Sequence, residues 1–411
     1  MMSATGPATL RLLRGADLYA PEHVGRRDLL VGGGRILRMG ASLAEFAHAG
    51  VEILDVGGLR LVPGFIDQHV HLLGGGDAAG PLGRVAELTP EDLALAGITT
   101  AVGVVGVEME ARGLLLLLRK VHELTRAGLT ALMYTGSFRL PAPCMLTSVR
   151  ADVAFIDQVM GVKTAISERF YPNQDASALM QLAGEMLQAR AMTGKAAVLH
   201  CHMGGMAEGM APLFELVERL GMPPSQIVPT HVNRTAAFSP VFAHALRFAG
   251  MGGTIDFSCC VSQQDGNPTG VDVHDAVRQS LDAGVPLERL SFSSDSNVPA
   301  AVRGAAGELL GMRVVPPTVL HRDLMRTVHE AGVPLAEALA LITTNVARGL
   351  GLQQRKGALR PGMDADLVVL DAQDRIHAVM AGGEWLVQDG RAIPRGPFAP
   401  VQGQVATEAQ A

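Results

Sequence analysis

Val62-Pro63-Gly64-Phe65-Ile66-Asp67-Gln68-His69-Val70-His71 opens on a Pro-Gly turn, runs through a short apolar segment and ends on two histidines one residue apart. A strand's period of two puts both imidazoles on one face, where they can share a metal ion. Neutral imidazole suits zinc, nickel, iron and manganese without choosing among them. A lone His-x-His pair is weak support for a metal site; residues further along the chain strengthen it.

Outward from this stretch, short apolar runs alternate with helix-length ones. Strands are expected at 62–71, 99–106, 131–138, 159–166, 197–203, 227–232, 253–258 and 290–297. Helices are expected at 111–127, 177–193, 207–220, 239–249, 273–283 and 322–331, several ending at glycine. Eight strand-then-helix units predict an α/β fold, a closed (β/α)8 TIM-like barrel whose active site gathers at the carboxyl ends of the strands. A doubly wound open sheet is the alternative. No GxGxxG opens a helix after the first strand, which argues against a dinucleotide-binding fold.

On either side the pattern is all β. Residues 8–60 read as short strands separated by glycine turns, and 366–393 read the same way. Neither half has enough strands to bury both faces of a sheet, so the two together predict one small β-sandwich domain built from both chain ends. The expected division is 1–61 and 357–400 for the small β-domain, 62–356 for the barrel, and 401–411 as a loose tail, like residues 1–8. The stretch 297–320 reads as a loop over the site, from its position after the eighth strand and its glycines and prolines.

Composition bounds the function classes. The 411 residues are 48% hydrophobic and only 4% aromatic, with 48 glycines and 23 prolines, as in a turn-rich globular α/β protein. A net charge of -6 without a basic cluster argues against a nucleic-acid surface. There is no uncharged apolar run of about 18 residues to span a membrane, and the start lacks a signal-peptide pattern. Cys144, Cys201, Cys259 and Cys260 are scattered, as expected of reduced thiols in a cytoplasmic protein.

Reactive residues fall at the expected strand ends: His69 and His71 on the first, Lys163 on the fourth, His202 on the fifth, His231 on the sixth and Asp295 on the eighth. Each has a plainer reading. Lys163 could reach past its strand to solvent, and one of His200 and His202 could be a hydrogen-bonded core histidine. Cys201 points the other way and reads as buried packing. Four histidines, a lysine and an aspartate on one rim are hard to explain as packing.

These residues carry a family resemblance that spans essentially the whole chain. The run 63–72 with Gly74-Gly75-Gly76, then Gly161-Val162-Lys163, His202-Met203-Gly204, Pro229-Thr230-His231-Val232-Asn233-Arg234, 252–256 and Ser293-Ser294-Asp295 resemble the amidohydrolase superfamily, and within it the isoaspartyl dipeptidase (beta-aspartyl peptidase) family. The tail 356–369 resembles the superfamily's return into its small β-domain. The resemblance implies a binuclear centre of two zinc ions per chain, another divalent metal being possible. By that resemblance His69 and His71 hold the more buried ion and His202 and His231 the more exposed one. Lys163, N-carboxylated by CO2, bridges both, and Asp295 ligates the buried ion and serves as the catalytic acid and base. It also implies a small-molecule amide or dipeptide substrate and a homo-oligomer, with an octamer as the suggested size.

The same comparison departs at the substrate pocket. Where the family places a glutamate for the substrate's amino group stands Ala78, with Asp77 one place earlier, after Gly75 and Gly76. An expected threonine is Val107, and an expected tyrosine is Phe138. An expected arginine is Phe170, with Arg169 one place early, and an expected serine is Pro299. Arg234, the expected grip on a substrate carboxylate, is retained. Charged hydrogen bonds contribute about 1.5–3 kcal/mol each, so their loss moves specificity steeply. The expectation is a binuclear-metal hydrolase of an isopeptide or dipeptide-like amide bond, its pocket altered towards less polar substrates. The alternatives are a true β-aspartyl dipeptidase, with Asp77 and Arg169 compensating, and a hydrolase of a cyclic amide, imide or lactone.

Overall fold

The structure, a computed structural model, describes residues 10–76, 80–172, 176–234, 239–261, 269–303 and 308–395. Strands β1 (Leu10–Tyr19) and β2 (His23–Gly32) come first, followed by β3 (Arg35–Gly40), β4 (Val51–Asp55) and β5 (Arg60–Pro63). Gly33 and Gly34, both at positive φ, turn β2 into β3, a conformation that glycine adopts at little cost.

The stretch expected as one strand over 62–71 is divided at Gly64. Up to Pro63 it is β5 and belongs to the small sheet; from Phe65 it is β6 (Phe65–Val70), the first strand of the barrel. A Cβ at residue 64 would fall 2.3 Å from Thr99 Oγ1, so glycine lets the chain cross from one sheet to the other.

The barrel continues with β7 (Ile98–Gly103), β8 (Thr130–Gly136), β9 (Val159–Ile166) and β10 (Val198–Met203), then β11 (Ile227–Thr230), β12 (Ile255–Ser258) and β13 (Leu290–Ser293). Each strand pairs parallel to its predecessor in chain order. The ring closes through a parallel bridge between Val70 and Ser296 and a hydrogen bond from Asp295 N to His69 O of 3.0 Å. The last expected strand, 290–297, stops at Ser293 because Asp295 and Asn297 take positive φ, 46° and 67°, which no strand accommodates.

Helices Pro90–Leu95, Leu114–Arg126, Val149–Phe155, Ala176–Thr193, Ala211–Leu220, Val241–Gly250 and Val273–Asp282 separate successive barrel strands. Leu114–Arg126 shows why they pack outside: Leu114, Leu117, Val121 and Leu124 recur at helical spacing and are buried. Burying such a side chain contributes about 1.5–3 kcal/mol. The strands alternate beneath them. Ala101 joins the core shared with the helices, whereas Val102 joins Ile66, Tyr134, Met160, Val198 and Val228 in a second cluster with Val346 and Leu350.

The stretch 297–320, expected as a loop, contains a hairpin of β14 (Pro299–Arg303) and β15 (Leu309–Val314). Its prolines and glycines hid the period of two in Leu310, Met312 and Val314, all exposed. Beyond it come helices Val319–His329, Leu335–Ala340 and Thr344–Gly349, and then β16 (Leu367–Leu370), β17 (Ile376–Ala381), β18 (Glu384–Gln388) and β19 (Arg391–Ala392).

These last four strands complete the sheet built from both chain ends, in the order β19-β18-β17-β16-β5-β1-β2-β3 with β4 added to β1. Alternation on β16 splits its side chains: Leu367 and Val369 enter the sheet's own core, while Val368 and Leu370 join the barrel's. A charged seam ties the ends together. Lys356 Nζ donates to Asp364 at 2.9 Å, to Thr130 Oγ1 at 2.7 Å and to Asp366, and Asp364 also receives Arg35 at 2.6 Å and Arg355 at 3.0 Å. The expected tails, 1–8 and 401–411, lie outside the described residues. No helix among those described is long and apolar enough to cross a membrane.

Candidate metal centre

At the carboxyl ends of the barrel strands the expected residues converge. His69 near the end of β6, His71 just beyond it and Asp295 beyond β13 bring one ligand atom each within 4.8 Å of one another, all buried. Asp295 Oδ1 lies 3.3 Å from His69 Nε2 and 3.4 Å from His71 Nε2, and its Oδ2 lies 3.6 Å from His231 Nδ1. Lys163, buried on β9, puts Nζ 3.4 Å from His69 Nε2 and 4.8 Å from the centre of the Phe138 ring. The His202 and His231 rings meet edge to face at 4.4 Å, and Phe138 packs on His202 at 4.6 Å.

The supporting shell is polar and specific. His69 Nδ1 lies 2.7 Å from His200 Nε2, and the His200 ring stacks on Tyr134 at 4.7 Å. Of the two histidines on β10, His200 is thus the core one. Ser258 on β12 touches His231 Nδ1 at 2.5 Å. Beneath them Asp256 accepts hydrogen bonds from Gln68, Thr230, Ser291 and Ser293, while Asp67 takes the Ser294 hydroxyl and the backbone N–H groups of His69 and Ser294. His231 and Asp295 both sit at positive φ, 62° and 46°, backbone strain of the kind held at functional sites. Cys201 packs away in the barrel core.

Burial dominates the protonation of the cluster. It lowers Lys163 to about 8 against the pull of Asp295 and Glu108, His69 to about 3, and His202 to about 4. Burial raises Asp67 to about 7. Asp295 goes the other way: burial would raise it, but His231 and His69 hold it well below the usual carboxylate range. His71 departs from its neighbours: burial would lower it, but its contacts with Asp295 and Glu108 raise it. His69, His202 and His231 are held neutral beside an ionised carboxylate, the protonation states that metal ligation requires.

Other expected residues are placed less centrally. Gly75 donates its N–H to Asn297 O at 2.9 Å, and Gly76 turns at a φ of 117°. Arg169 lies over the ring of Phe170 at 4.5 Å, with Phe170 68% exposed. Pro299 begins the hairpin. Among the described residues no contact draws Val107 or Pro299 into the cluster, and Phe170 meets it through its backbone N–H, which donates to Glu168; Asp77 and Ala78 lie outside the described residues. Arg234 reaches the cluster through Glu168, whose Oε2 is 3.6 Å from Arg234 Nη1 and 3.5 Å from His202 Nε2.

The amidohydrolase family profile matches residues 60–386, from β5 into β18. The chain belongs to the amidohydrolase family. It is an enzyme of that family, a hydrolase acting on carbon–nitrogen bonds. Among solved structures, the beta-aspartyl dipeptidase of Fervidobacterium islandicum AW-1, in complex with a beta-Asp-Leu dipeptide, is 30% identical with a TM-score of 0.84, covering 94% of this chain and 99% of that one. The imidazolonepropionase of Rhodococcus jostii (strain RHA1) is 25% identical over 355 residues, 84% of this chain and 83% of the relative. That of Paracoccus denitrificans (strain Pd 1222) is 26% identical over 392 residues, 87% and 93% of the two chains.

Three members of this amidohydrolase site escaped the sequence reading. Glu108 lies 3.5 Å from His71 Nδ1 and accepts the Gly106 N–H at 3.0 Å. Burial would raise Glu108, but His71 and the backbone hold it near 2. Glu168 is likewise held near 2, by His202 and Arg234 against burial. The Cys260 thiol donates to Asp295 Oδ2 at 2.8 Å. All three come within a few residues of a barrel strand's carboxyl end, the one signal that could have found them.

Proposed function

We propose that this chain is a binuclear metal hydrolase cleaving an isopeptide or dipeptide-like amide bond, in a substrate less polar than a β-aspartyl dipeptide and carrying one carboxylate. The observation behind this reading is the convergence of His69, His71 and Asp295, with His231 Nε2 buried beside them and without a hydrogen-bond partner. Such an orphaned imidazole nitrogen in a buried site is costly unless something is ligated there. His69, His71 and Asp295 would hold the more buried of two zinc ions, and His202 and His231 the other. Bound there, the dications supply Lewis acidity to water and to the scissile carbonyl.

The remaining work falls to the chain's own groups. Lys163, lowered by burial to about 8, has a larger neutral fraction than an exposed lysine. Only the neutral amine attacks CO2, forming the C–N bond of a carbamate and releasing a proton, and a carbamate on Lys163 would offer the site anionic oxygen that the amine cannot. Asp295, its carboxylate fixed by the Cys260 thiol, takes a proton from the attacking water and delivers it to the leaving nitrogen, which departs as a neutral amine. Phe138, packed on His202 and 9% exposed, helps exclude water from this exchange. Arg234 takes the substrate carboxylate. The enzyme would work in the cytoplasm, where thiols stay reduced, as a homo-oligomer.

The test is a parallel hydrolysis screen of the zinc-loaded protein against β-aspartyl dipeptides and N-acyl amino acids with bulky apolar groups, with metal content measured on the same sample. Two metals per chain and turnover of the apolar amides alone are expected. Turnover of β-aspartyl-leucine above about 10^4 M⁻¹s⁻¹ would restore the dipeptidase reading. Imidazolonepropionases among the relatives favour a cyclic amide as the second reading, which a panel of cyclic amides in the same screen resolves.

A further inference from the structure

We infer that Glu108 and Glu168 are positioning residues, one for each half of the centre: Glu108 holds His71 from behind, and Glu168 holds His202 while tying it to Arg234. The inference rests on the two-metal reading given above.

An imidazole directs one nitrogen at a ligand, and whatever the other nitrogen touches fixes its tautomer and the orientation of the ring. For two of the four histidines that back contact is a short one: His69 Nδ1 to His200 at 2.7 Å and His231 Nδ1 to Ser258 at 2.5 Å. For the other two, His71 Nδ1 and His202 Nε2 are buried without a partner in normal hydrogen-bond geometry, and each lies 3.5 Å from a glutamate oxygen. A carboxylate in that position accepts the N–H. The lone pair of the opposite nitrogen then turns into the site, Nε2 of His71, already 3.4 Å from Asp295, and Nδ1 of His202.

Both glutamates are seated by the backbone. A Cβ at residue 106 would fall 2.6 Å from Glu108 Oε2 and 2.8 Å from His71 Cε1, so glycine there lets the two side chains meet. Four residues past Glu108, Arg112 donates to the carbonyls of Leu73 and, at 2.6 Å, Gly74. Residues 106–112 thus brace both the His71 ring and the loop that follows it. On the other side, Ser167 at a φ of 54° turns the chain out of β9. A Cβ on Gly204 would fall 2.3 Å from Glu168 Cα, so the backbone of Glu168 rests on the loop that follows His202. From there Oε2 reaches Arg234 Nη1 at 3.6 Å.

The experiment loads the full-length chain with zinc in bicarbonate and measures metal retained per chain against graded chelator for the wild type, E108A, E108Q, E168A, E168Q and the double alanine variant. The wild type is expected to hold two ions. Each alanine variant should release one of the two about 10- to 100-fold more readily, and the double variant both. The glutamine variants, which keep an acceptor oxygen but no charge, should fall between, and they carry the test if an alanine variant does not fold. E168A should also raise KM for a carboxylate-bearing substrate over its carboxylate-free counterpart, with less change in kcat, because Arg234 is loosened. Retention of both ions as firmly as in the wild type would overturn the inference, and so would loss of both from either single variant, which is collapse of the site. A wild type that takes up no metal would strike the two-metal reading itself, and the inference with it.

Discussion

Two charged clusters in this molecule, each centred on buried groups, are differently finished. In the seam between the chain ends, Lys356 meets Asp364, Asp366 and Thr130, and Asp364 also takes Arg35 and Arg355. At the barrel mouth His231 Nε2 has no partner, and the contacts behind His71 and His202 are loose at 3.5 Å. Buried polar groups left unmatched cost free energy that a purely structural cluster would recover by pairing. The seam closes on itself and holds the small sheet to the barrel through Thr130 on β8; the mouth leaves buried nitrogens unmatched.

Substitutions should separate the two accordingly. Asp295→Asn is expected to have the largest effect, lowering kcat by about 10^2- to 10^4-fold, the range for loss of a general acid and base, while thermal unfolding of the metal-free chain moves little. Wild-type activity in that variant would remove Asp295 from the chemistry. Lys356→Met should show the reverse pattern. It leaves Asp364 and Asp366 short of a cation, and breaking a buried pair costs about 3 kcal/mol or more, read as a lower urea midpoint with kcat unchanged in the fraction that stays folded. An unchanged midpoint would mean that the two arginines suffice.

The smallest effect expected is on the acid side. Burial would raise Asp364, but Lys356 and Arg355 outweigh it and hold the carboxyl below its usual value in the folded chain. The unfolded chain therefore takes up this proton first as pH falls. The contribution to stability is complete above about pH 4, the ordinary aspartate value, and is lost as pH drops through the folded one. Urea midpoints measured from pH 7 to pH 3 should fall in the wild type and fall less in Asp364→Asn; parallel curves would assign the acid sensitivity elsewhere.

How much of this could be read beforehand follows the same division. His69, His71, Lys163, His202, His231 and Asp295 stand out because each ends an apolar run, and a parallel barrel gathers such ends on one rim. Glu108 and Glu168 sit in turns, where no periodicity marks them, and their partners lie 37 and 34 positions away, His71 being before Glu108 and His202 after Glu168. The small sheet was visible as β-rich ends, but its order was not, because β5 pairs with β16 across about 300 residues and local patterning carries no information about such pairing. Gly64 hid another boundary, since an apolar run continues through it while the backbone changes sheets.

The bridge that closes the barrel, Val70 to Ser296, joins its first strand to the segment after its last. His69 and Asp295 belong to those two segments, so they meet only once every strand between them is in place. Long-range closure of this kind comes late in folding and slowly. A chain still emerging from the ribosome, or one cut short before β13, therefore carries the histidines without the aspartate. Under the proposed chemistry, competence for hydrolysis arrives with completion of the ring, and the carboxylate proposed to move the proton doubles as a report that the barrel has been built.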